Sequence, residues 1–184
     1  GAPSVLSAAL KIVAITPADK VVADAISRYA LIMRNLTAST AQMAGAELTR
    51  VEVQVEPASD SANLSISTNY SYTLTLAEGD STVRLSAASR FTVAHGLETL
   101  AQLYSSSNRG FSGFSVADAP DFPYRALMID CGRRFVPLPT LYEILDGMSY
   151  SKMSVLNLHA SEYGFFRIAI KAFPELTSGL GSAF

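Results

Sequence analysis

Two short strand patterns, separated by a helical one, constrain the fold of this chain more than any other feature. Residues 126–129 are continuously apolar and lead to Asp130, and residues 155–158 form a second strand pattern that leads to His159. A continuous apolar run is typical of a strand buried on both faces, as in a parallel sheet. The helix predicted to begin at 138–140 has an apolar face formed by Leu141, Ile144, Leu145 and Met148. Together these patterns predict one βαβ unit.

Polar side chains follow the ends of both predicted strands. Arg133 comes three residues after Asp130, and Glu162 comes three residues after His159. Parallel barrels and open α/β sheets place their chemistry at the carboxyl ends of the strands. We therefore predict that these four side chains lie together at the mouth of a parallel barrel or at the edge of an open sheet.

The first half of the chain mixes strand and helix patterns, as an α+β domain does. Residues 11–15 form a β-branched run, and residues 50–56 alternate between valines and polar side chains. Alternation continues on both sides of the turn chemistry at 78–80, which predicts a β-hairpin. A half-buried sheet with one apolar face is therefore expected in this half.

Two helices are predicted to accompany these strands. The first follows Thr16, which is expected to be its N-cap, with Pro17 in the first helical position and an apolar face that continues to about Met33. The second is predicted from Ser89 to Tyr104, where apolar residues recur at helical spacing. Prolines within 118–123 then favour an extended linker between two domains.

Charge and composition exclude several function classes. The net charge is −2 with no dense run of Lys or Arg, so neither nucleic acid nor an anionic membrane surface is an expected partner. No apolar run approaches the roughly 20 residues that span a bilayer. Cys131 is the single cysteine and the chain has two histidines, so we expect no internal disulfide, no metal site and no cofactor.

Three glycosylation sequons lie in the first half of the chain, at Asn35, Asn63 and Asn69. They predict a glycoprotein of the secretory pathway, although a Ser- and Thr-rich chain also produces sequons by chance. The sequence begins at Gly1 without Met or a basic segment, so any secretory signal is expected to have been removed or never to have been part of this sequence.

Several ordered segments resemble the family 20 glycoside hydrolases, the β-N-acetylhexosaminidases. Residues 91–103 resemble the Gly-Leu-Glu-Thr helix that closes the small N-terminal domain of that family, where Glu98 is expected to brace the two domains. Residues 121–130 together with residues 133–138 resemble the segment that enters the catalytic barrel, and residues 148–159 resemble the following helix end and second strand. Residues 173–177 resemble the Pro-Glu-Leu turn of the family.

The resemblance implies two domains and a mechanism. Residues 1–115 are expected to form an α+β domain, an antiparallel sheet with helices, and residues 116–184 the beginning of a (β/α)₈ barrel. In this family the acetamido group of the substrate attacks the anomeric carbon, while a Glu protonates the leaving oxygen and the preceding Asp orients the acetamide. That pair is expected beyond Phe184, so this chain by itself is predicted to hold no catalytic residue and to be inactive.

The resemblance also suggests roles for the four side chains at the strand ends. Arg133 matches the family arginine that binds hydroxyls of the terminal sugar, and His159 matches a histidine beside the active site. Glu162 and Tyr163 stand where the family has two aspartates, and Asp130 is expected to hold the loop in place. The alternative for Arg133 is an ion pair with Asp130 or Glu162 that closes the barrel mouth, and both roles are compatible.

Two functions follow from this resemblance. The first is a lysosomal, vacuolar or extracellular hydrolase that acts on amino-sugar glycans once the remainder of the barrel, or a partner chain, completes it. The second is a non-catalytic glycoprotein derived from such an enzyme, which serves as a structural or binding subunit of a dimer or larger assembly. Exposed apolar strand faces in a partial barrel would need to be covered by another chain.

Overall fold

The computed structural model describes residues 5–38, 47–57, 63–106, 112–162 and 165–178. The chain divides into two compact units, Gly1–Pro123 and Tyr124–Phe184. Among the described residues, no helix combines the length and the hydropathy that crossing a membrane requires.

The first unit is built on a five-stranded sheet. Its strands are β1 (Val5–Ala14), β2 (Glu47–Val55), β3 (Tyr72–Leu76), β4 (Thr82–Ala87) and β5 (Phe114–Asp118), in the spatial order β1-β2-β4-β3-β5. β2 is parallel to both β1 and β4, whereas β3 is antiparallel to β4 and β5. The sheet is therefore mixed, not antiparallel throughout as predicted, because crossover connections of the kind that a helix provides between β1 and β2 join parallel strands.

The predicted β-hairpin is confirmed, while the ends of the sheet differ from prediction. β3 and β4 pair around a turn in which Gly79 has φ +76°, a conformation that glycine adopts at low cost. β1 begins at Val5, earlier than predicted, and its register against β2 shifts between Leu6 and Lys11. β5 was not predicted; because it pairs with β3, the first unit continues to Pro123 and the division falls later than the expected one at 115/116.

Two long helices, α1 (Lys20–Ala38) and α2 (Val93–Ser106), pack against this sheet, and a 3₁₀ turn precedes α2. The prediction that Thr16 caps α1 is wrong. Asp19 is the cap, since its Oδ1 accepts a hydrogen bond from the Val22 N–H at 3.1 Å. The Thr16 hydroxyl instead accepts from the Val55 N–H at 3.1 Å, which ties the start of the helix connection to β2.

The core of the first unit lies between the helices and one face of the sheet. The predicted alternation in β2 is confirmed, because Val51, Val53 and Val55 are buried. Other members of this core include Tyr29, Met33, Leu74, Val83, Leu85, Leu97, Leu100 and Tyr104. One carboxylate is buried with them: Glu98 accepts from the Tyr29 hydroxyl at 2.9 Å and from the Gln102 amide at 2.7 Å. Its oxygens thus join α1 to α2 inside the first unit, whereas the sequence suggested a brace between domains.

The second unit contains the predicted βαβ arrangement. β6 (Ala126–Asp130) and β7 (Val155–His159) are parallel, with α3 (Leu138–Tyr150) between them in sequence. The expectation that β6 is buried on both faces is not met within this unit. Its residues are half-buried and Met128 is 59% exposed, because one two-stranded sheet supplies too few neighbours to cover both faces.

A small hairpin and a short helix complete the described part of the second unit. β8 (Ser161–Glu162) pairs antiparallel with β9 (Phe165–Phe166), and α4 (Glu175–Ser178) follows at the Pro-Glu-Leu segment. The hairpin was not predicted, since strands of two residues are too short to show a period. It begins two residues after the end of β7, so it returns the chain toward the strand ends that carry the candidate site.

Candidate functional site

The carboxyl ends of β6 and β7 lie side by side. Asp130 and His159 are register partners at the last position of each strand. Arg133 follows from the turn after β6, and its Nε donates to Glu162 Oε2 of β8 at 2.9 Å. The same Nε lies 3.8 Å from Asp130 Oδ2. The structure therefore brings the four predicted side chains to one edge of this sheet.

Backbone hydrogen bonds shape the turn that presents Arg133. The N–H groups of Cys131 and Gly132 both lie 2.9 Å from the carbonyl oxygen of His159, which anchors the turn to the end of β7. Asp130 Oδ1 accepts from the N–H groups of Gly132 and Arg133, each at 3.0 Å. Asp130 thus accepts from two backbone donors of the turn with one oxygen.

Gly132 allows the turn to approach the hairpin closely. A Cβ atom at this position would lie 3.0 Å from the carbonyl oxygen of Ser161 and 3.3 Å from Asp130 Oδ1. The nearer of these contacts is with backbone, which cannot rotate away as the end of a side chain can. A side chain here would push the turn and β8 apart by a few tenths of an ångström, so glycine favours their close approach.

Arg133 and Glu162 form an exposed, charge-assisted pair. The hydrogen bond and the charge of Glu162, followed by the charge of Asp130, raise the pKa of the Arg133 guanidinium above its ordinary value. The Arg133 side chain remains 75% exposed, against 31% for Glu162. Within the described part of the chain, Arg133 donates to Glu162 through Nε, and Asp130 is an ion-pair neighbour of the same atom, so the N–H donors on its two terminal nitrogens are available to a hydroxylated ligand.

Three side chains of the site have the chemistry of metal ligands. A carboxylate oxygen from Asp130, one from Glu162 and a ring nitrogen of His159 all lie within 4.8 Å of one another. The Arg133 guanidinium already supplies a positive charge to both carboxylates. A divalent cation would have to displace that guanidinium, so the donor set is better matched to the arginine than to a metal ion.

One residue at this edge was not predicted from sequence. Arg167 follows β9, and its Nε donates to the carbonyl oxygen of Gly132 at 2.6 Å. Its backbone N–H also donates to the carbonyl of Ala160 at 3.2 Å. Local pattern carries no signal for this contact, because the hydrogen-bond partner lies 35 residues earlier in the chain. Of the remaining predicted positions, Tyr163 lies outside the described residues.

Two family models match this chain. The model described as beta-acetyl hexosaminidase like matches residues 4–103, which are most of the first unit. The model described as glycosyl hydrolase family 20, catalytic domain, matches residues 122–182, which include the whole candidate site. The second match begins at residue 122, close to the division of the structure after Pro123.

The chain is also similar to curated proteins named as beta-hexosaminidases. A beta-hexosaminidase of Emericella nidulans is 34% identical over 150 residues, which are 79% of this chain and 24% of that protein. The beta-hexosaminidase subunit beta of Mus musculus is 33% identical over 117 residues, which are 62% of this chain and 22% of that protein. The chain thus spans about a quarter of the length of these relatives.

Solved structures share the fold. The chitobiase of Flavobacterium johnsoniae superposes with a TM-score of 0.77 at 22% identity, over 98% of this chain and 28% of that one. The family 20 beta-N-acetylhexosaminidase of Streptomyces coelicolor A3(2) has a TM-score of 0.68 at 21% identity, over 100% of this chain and 37% of that one. With two family models matched in order along its sequence, the chain belongs to glycosyl hydrolase family 20, the family of the β-N-acetylhexosaminidases.

Proposed function

We propose that this chain provides the edge of an active site that grips the terminal sugar in a β-N-acetylhexosaminidase, an enzyme that removes terminal N-acetylglucosamine or N-acetylgalactosamine from glycans. The observation that carries the proposal is the Arg133 guanidinium, held through Nε by Glu162 at the carboxyl end of β6. A planar cation fixed at one nitrogen can donate from its other nitrogens to two adjacent hydroxyls of a sugar.

The reaction in this proposal uses the substrate as its own nucleophile. The acetamido oxygen attacks the anomeric carbon, the bond to the leaving oxygen breaks, and a general acid protonates that oxygen. Water then opens the cyclised intermediate, which retains the anomeric configuration. The described residues supply binding and orientation to this sequence of steps, and the Asp-Glu pair is assigned to sequence beyond Phe184. In this proposal the 184 residues alone hydrolyse nothing.

In this proposal Arg133 and Glu162 contribute to the rate of hydrolysis by orienting the bound sugar. A sugar held by its hydroxyls presents its acetamido oxygen and its anomeric carbon in a fixed relation to the general acid. Misplacement by about 1 Å can lower the rate by roughly 100-fold, so the pair that sets the sugar position affects turnover without touching the reacting bond. His159, exposed at the end of β7, is assigned to the same sugar-binding edge.

The proposal is tested on the protein that carries this chain, isolated from its natural source. After removal of N-glycans, its denatured mass should exceed the 19.6 kDa of these residues. It should release the aryl group from an aryl N-acetyl-β-glucosaminide and fail on the matching β-glucoside, which has no acetamide to attack. Activity on both substrates would exclude the substrate-assisted mechanism.

A matched pair of arginine variants identifies the sugar-binding group. Arg133→Lys keeps the charge but loses the planar donors, and we expect kcat/KM to fall by roughly 100-fold. Arg84→Lys is the control, because Arg84 is also an exposed arginine paired with a carboxylate, at 2.8 Å from Asp80 in the first unit. Equal activity of the two variants would remove Arg133 from the site.

A second function is favoured by the apolar surface of the second unit. More than half of the surface is exposed at each of Phe135, Phe173 and Tyr142, as at a subunit interface in the absence of its partner. The mouse relative is named as a subunit, which agrees with a dimer or larger assembly. A denatured mass near 19.6 kDa, together with a stable complex and no hydrolysis, would establish this non-catalytic subunit in place of the enzyme.

Glycosylation at the three sequons, and with it passage through the secretory pathway to a lysosome, vacuole or the cell exterior, belongs to the same proposal. Asn35, Asn63 and Asn69 are all exposed. Enzymatic release of N-glycans converts each modified Asn to Asp, which adds about 1 Da per site and marks it in peptide mass spectra. Unmodified asparagines at all three positions would remove the argument for this route.

A further inference from the structure

The turn that presents Arg133 is held from both sides. On one side its N–H groups bind the His159 carbonyl and Asp130 Oδ1. On the other side the Gly132 carbonyl accepts from Arg167 Nε at 2.6 Å. A hydrogen bond from a guanidinium is stronger than one between neutral groups, so this contact adds a strong tether at the carbonyl of Gly132.

Arg167 reaches the turn from the base of the β8–β9 hairpin. Its N–H donates to the Ala160 carbonyl at 3.2 Å, and Ser161 pairs with Phe166 at the first step of the hairpin. Its backbone therefore extends the pairing of the two short strands, while its side chain crosses to the turn after β6. Arg167 joins the two chain segments that meet at the site.

The same hairpin carries the partner of Arg133. Glu162 is the second residue of β8, and its carboxylate accepts from Arg133 Nε at 2.9 Å. Contacts between the turn and the described part of the hairpin include the Arg167 bond, the Arg133 bond and the close approach of Gly132 to the Ser161 carbonyl. Because Arg133 is 75% exposed, packing does little to fix its side chain, and its direction depends on where Glu162 lies.

We propose that Arg167 is a positioning residue that sets the direction of the sugar-binding Arg133 by clamping the β8–β9 hairpin to the turn after β6. Arg167 acts through Gly132 and Glu162 and does not itself touch the substrate. The inference rests on the proposed function for the sugar contact of Arg133, whereas the clamp itself concerns only residues of this unit. Removal of the clamp leaves Arg133 charged and present but no longer held in one direction.

The clamp is tested in the intact protein by the reactivity of Arg133. An arginine-specific dicarbonyl reagent is applied briefly, and modification of each arginine is followed by mass spectrometry after chymotryptic digestion. In Arg167→Gln, we expect the modification rate of Arg133 to rise about two- to fivefold, the range expected for loss of an exposed ion pair. Glu162→Gln removes the partner directly and should raise the rate by a similar amount.

Two controls separate the clamp from general unfolding. The modification rate of Arg84 in the first unit should stay the same in both variants, because its partner Asp80 is untouched. Hydrogen exchange of β6 and β7 peptides should also remain as in the parent protein, because the hydrogen bonds between these two strands do not involve Arg167. An unchanged Arg133 rate in a folded Arg167→Gln variant would overturn the proposal.

Kinetics with the aryl N-acetyl-β-glucosaminide then connect the clamp to sugar binding. Arg167→Gln should lower kcat/KM by about 10- to 100-fold, and Arg167→Lys should recover part of the loss because it restores the charge without the planar donor. In the double variant that carries both Arg167→Gln and Glu162→Gln, the fold-loss in kcat/KM should be far less than the product of the two single fold-losses, because both residues act through Arg133. Multiplicative losses would place Arg167 outside this pathway.

The two proposals fail in different ways. If no form of the protein acts on or binds the amino sugar, while Arg133 reactivity still rises in Arg167→Gln, the proposed function fails and the clamp stands. If the parent protein is active and Arg167→Gln is folded, equally active and unchanged in Arg133 reactivity, the clamp is wrong and the function stands.

Discussion

The two units of this chain belong to one family but differ in how completely they bury their own apolar residues. Among the residues that the structure describes, twenty-one apolar residues are buried in the first unit and one, Met148, in the second. Within the same residues, thirteen large apolar side chains are exposed in the shorter second unit and six in the first. A five-stranded sheet with two helices on one face closes a core. Two parallel strands with one long helix do not.

The difference teaches where stability and function reside in this chain. The first unit has the buried contacts that stabilise a fold and no predicted site residue except the sequons. The second unit has the candidate site, built from turns and hydrogen bonds at strand ends, and few buried contacts to support it. Site geometry there depends on polar tethers such as Asp130 and Arg167 instead of on a packed core.

The largest effect expected from this comparison concerns a matched pair of strand leucines. Leu74 of β3 is fully buried and Leu158 of β7 is 39% exposed. Leu74→Ala should lower the free energy of unfolding of the first unit by about 2–5 kcal/mol, because it leaves a cavity in a closed core. Leu158→Ala should change the second unit by less than about 1 kcal/mol. Hydrogen exchange resolved by peptide measures each unit separately; similar losses in both would refute the contrast.

A second comparison sets a buried hydrogen bond against an exposed one. Tyr29→Phe removes the hydroxyl that donates to Glu98 inside the core, and we expect the free energy of unfolding of the first unit to fall by about 1–3 kcal/mol. Glu162→Gln removes the acceptor of an exposed guanidinium, and its effect on stability should stay within about 1 kcal/mol. Denaturant unfolding followed by circular dichroism reports both values. A greater loss for Glu162→Gln would mean that the site pair supports the fold.

Two helical glycines sharpen the contrast in packing. A Cβ on Gly96 of α2 would lie 2.3 Å from Leu85 Cδ1, whereas a Cβ on Gly147 of α3 would meet nothing within 4 Å. Gly96→Ala should therefore destabilise the first unit by about 1–2 kcal/mol, since Leu85 is buried and has little room to move. Gly147→Ala should stabilise α3 by about 0.5–1 kcal/mol through helix propensity. Thermal unfolding should therefore occur at a lower temperature in Gly96→Ala and at a higher temperature in Gly147→Ala. A stabilised Gly96→Ala variant would show that the core around Leu85 can rearrange to hold the extra methyl group.

The smallest expected effect depends on pH and compares the two exposed arginine pairs. The hydrogen bond from Arg84 lowers the pKa of Asp80 below its ordinary value. Its contribution to stability is therefore present above the usual carboxyl pKa of about 4 and is lost as pH falls through the lowered value. The raised pKa of Arg133 has the opposite sign, so that contribution is lost only as pH rises through a value above the ordinary arginine pKa.

This pH dependence is checked by acid titration of hydrogen exchange in the β3–β4 peptides. The parent protein should lose protection slightly as pH falls below about 4, and Asp80→Asn should remove that component. Arg133→Gln should leave the acid titration of these peptides unchanged. A steeper acid response in Asp80→Asn would reverse the assigned sign.

Elements whose structure depends on residues close in sequence were predictable from the pattern of apolar and turn residues alone. Valine alternation predicted β2, helical spacing predicted α2 and α3, and turn chemistry predicted the β3–β4 hairpin. β5 escaped prediction because its alternation is limited to Phe114 and Val116 within five residues, and its pairing partner, β3, lies far earlier in the chain. The N-cap of α1 was assigned to Thr16 in place of Asp19, since both residue types cap helices and the choice depends on the path of the chain.

The candidate site was predictable in membership and not in its hydrogen bonds. Strand ends and family resemblance placed Asp130, Arg133, His159 and Glu162 together, and left open which carboxylate pairs with the arginine. The structure places Glu162 nearer, at 2.9 Å against 3.8 Å for Asp130. The carboxylate of Asp130 instead accepts from the backbone of its own turn, where Oδ1 lies 3.0 Å from the Gly132 nitrogen.

Pattern and motifs along the chain were sufficient to assign the kinds of elements, the faces they bury and the family, because apolar period follows burial and ordered motifs are inherited. The pairing of each donor with its acceptor came from the folded arrangement alone, as with Arg133 and Glu162, Arg167 and Gly132, and Tyr29 and Glu98. The physical reason is range. Burial is averaged over many neighbours and tolerates small displacements, whereas a hydrogen bond is lost within a fraction of an ångström and joins residues whose separation in sequence carries no local signal.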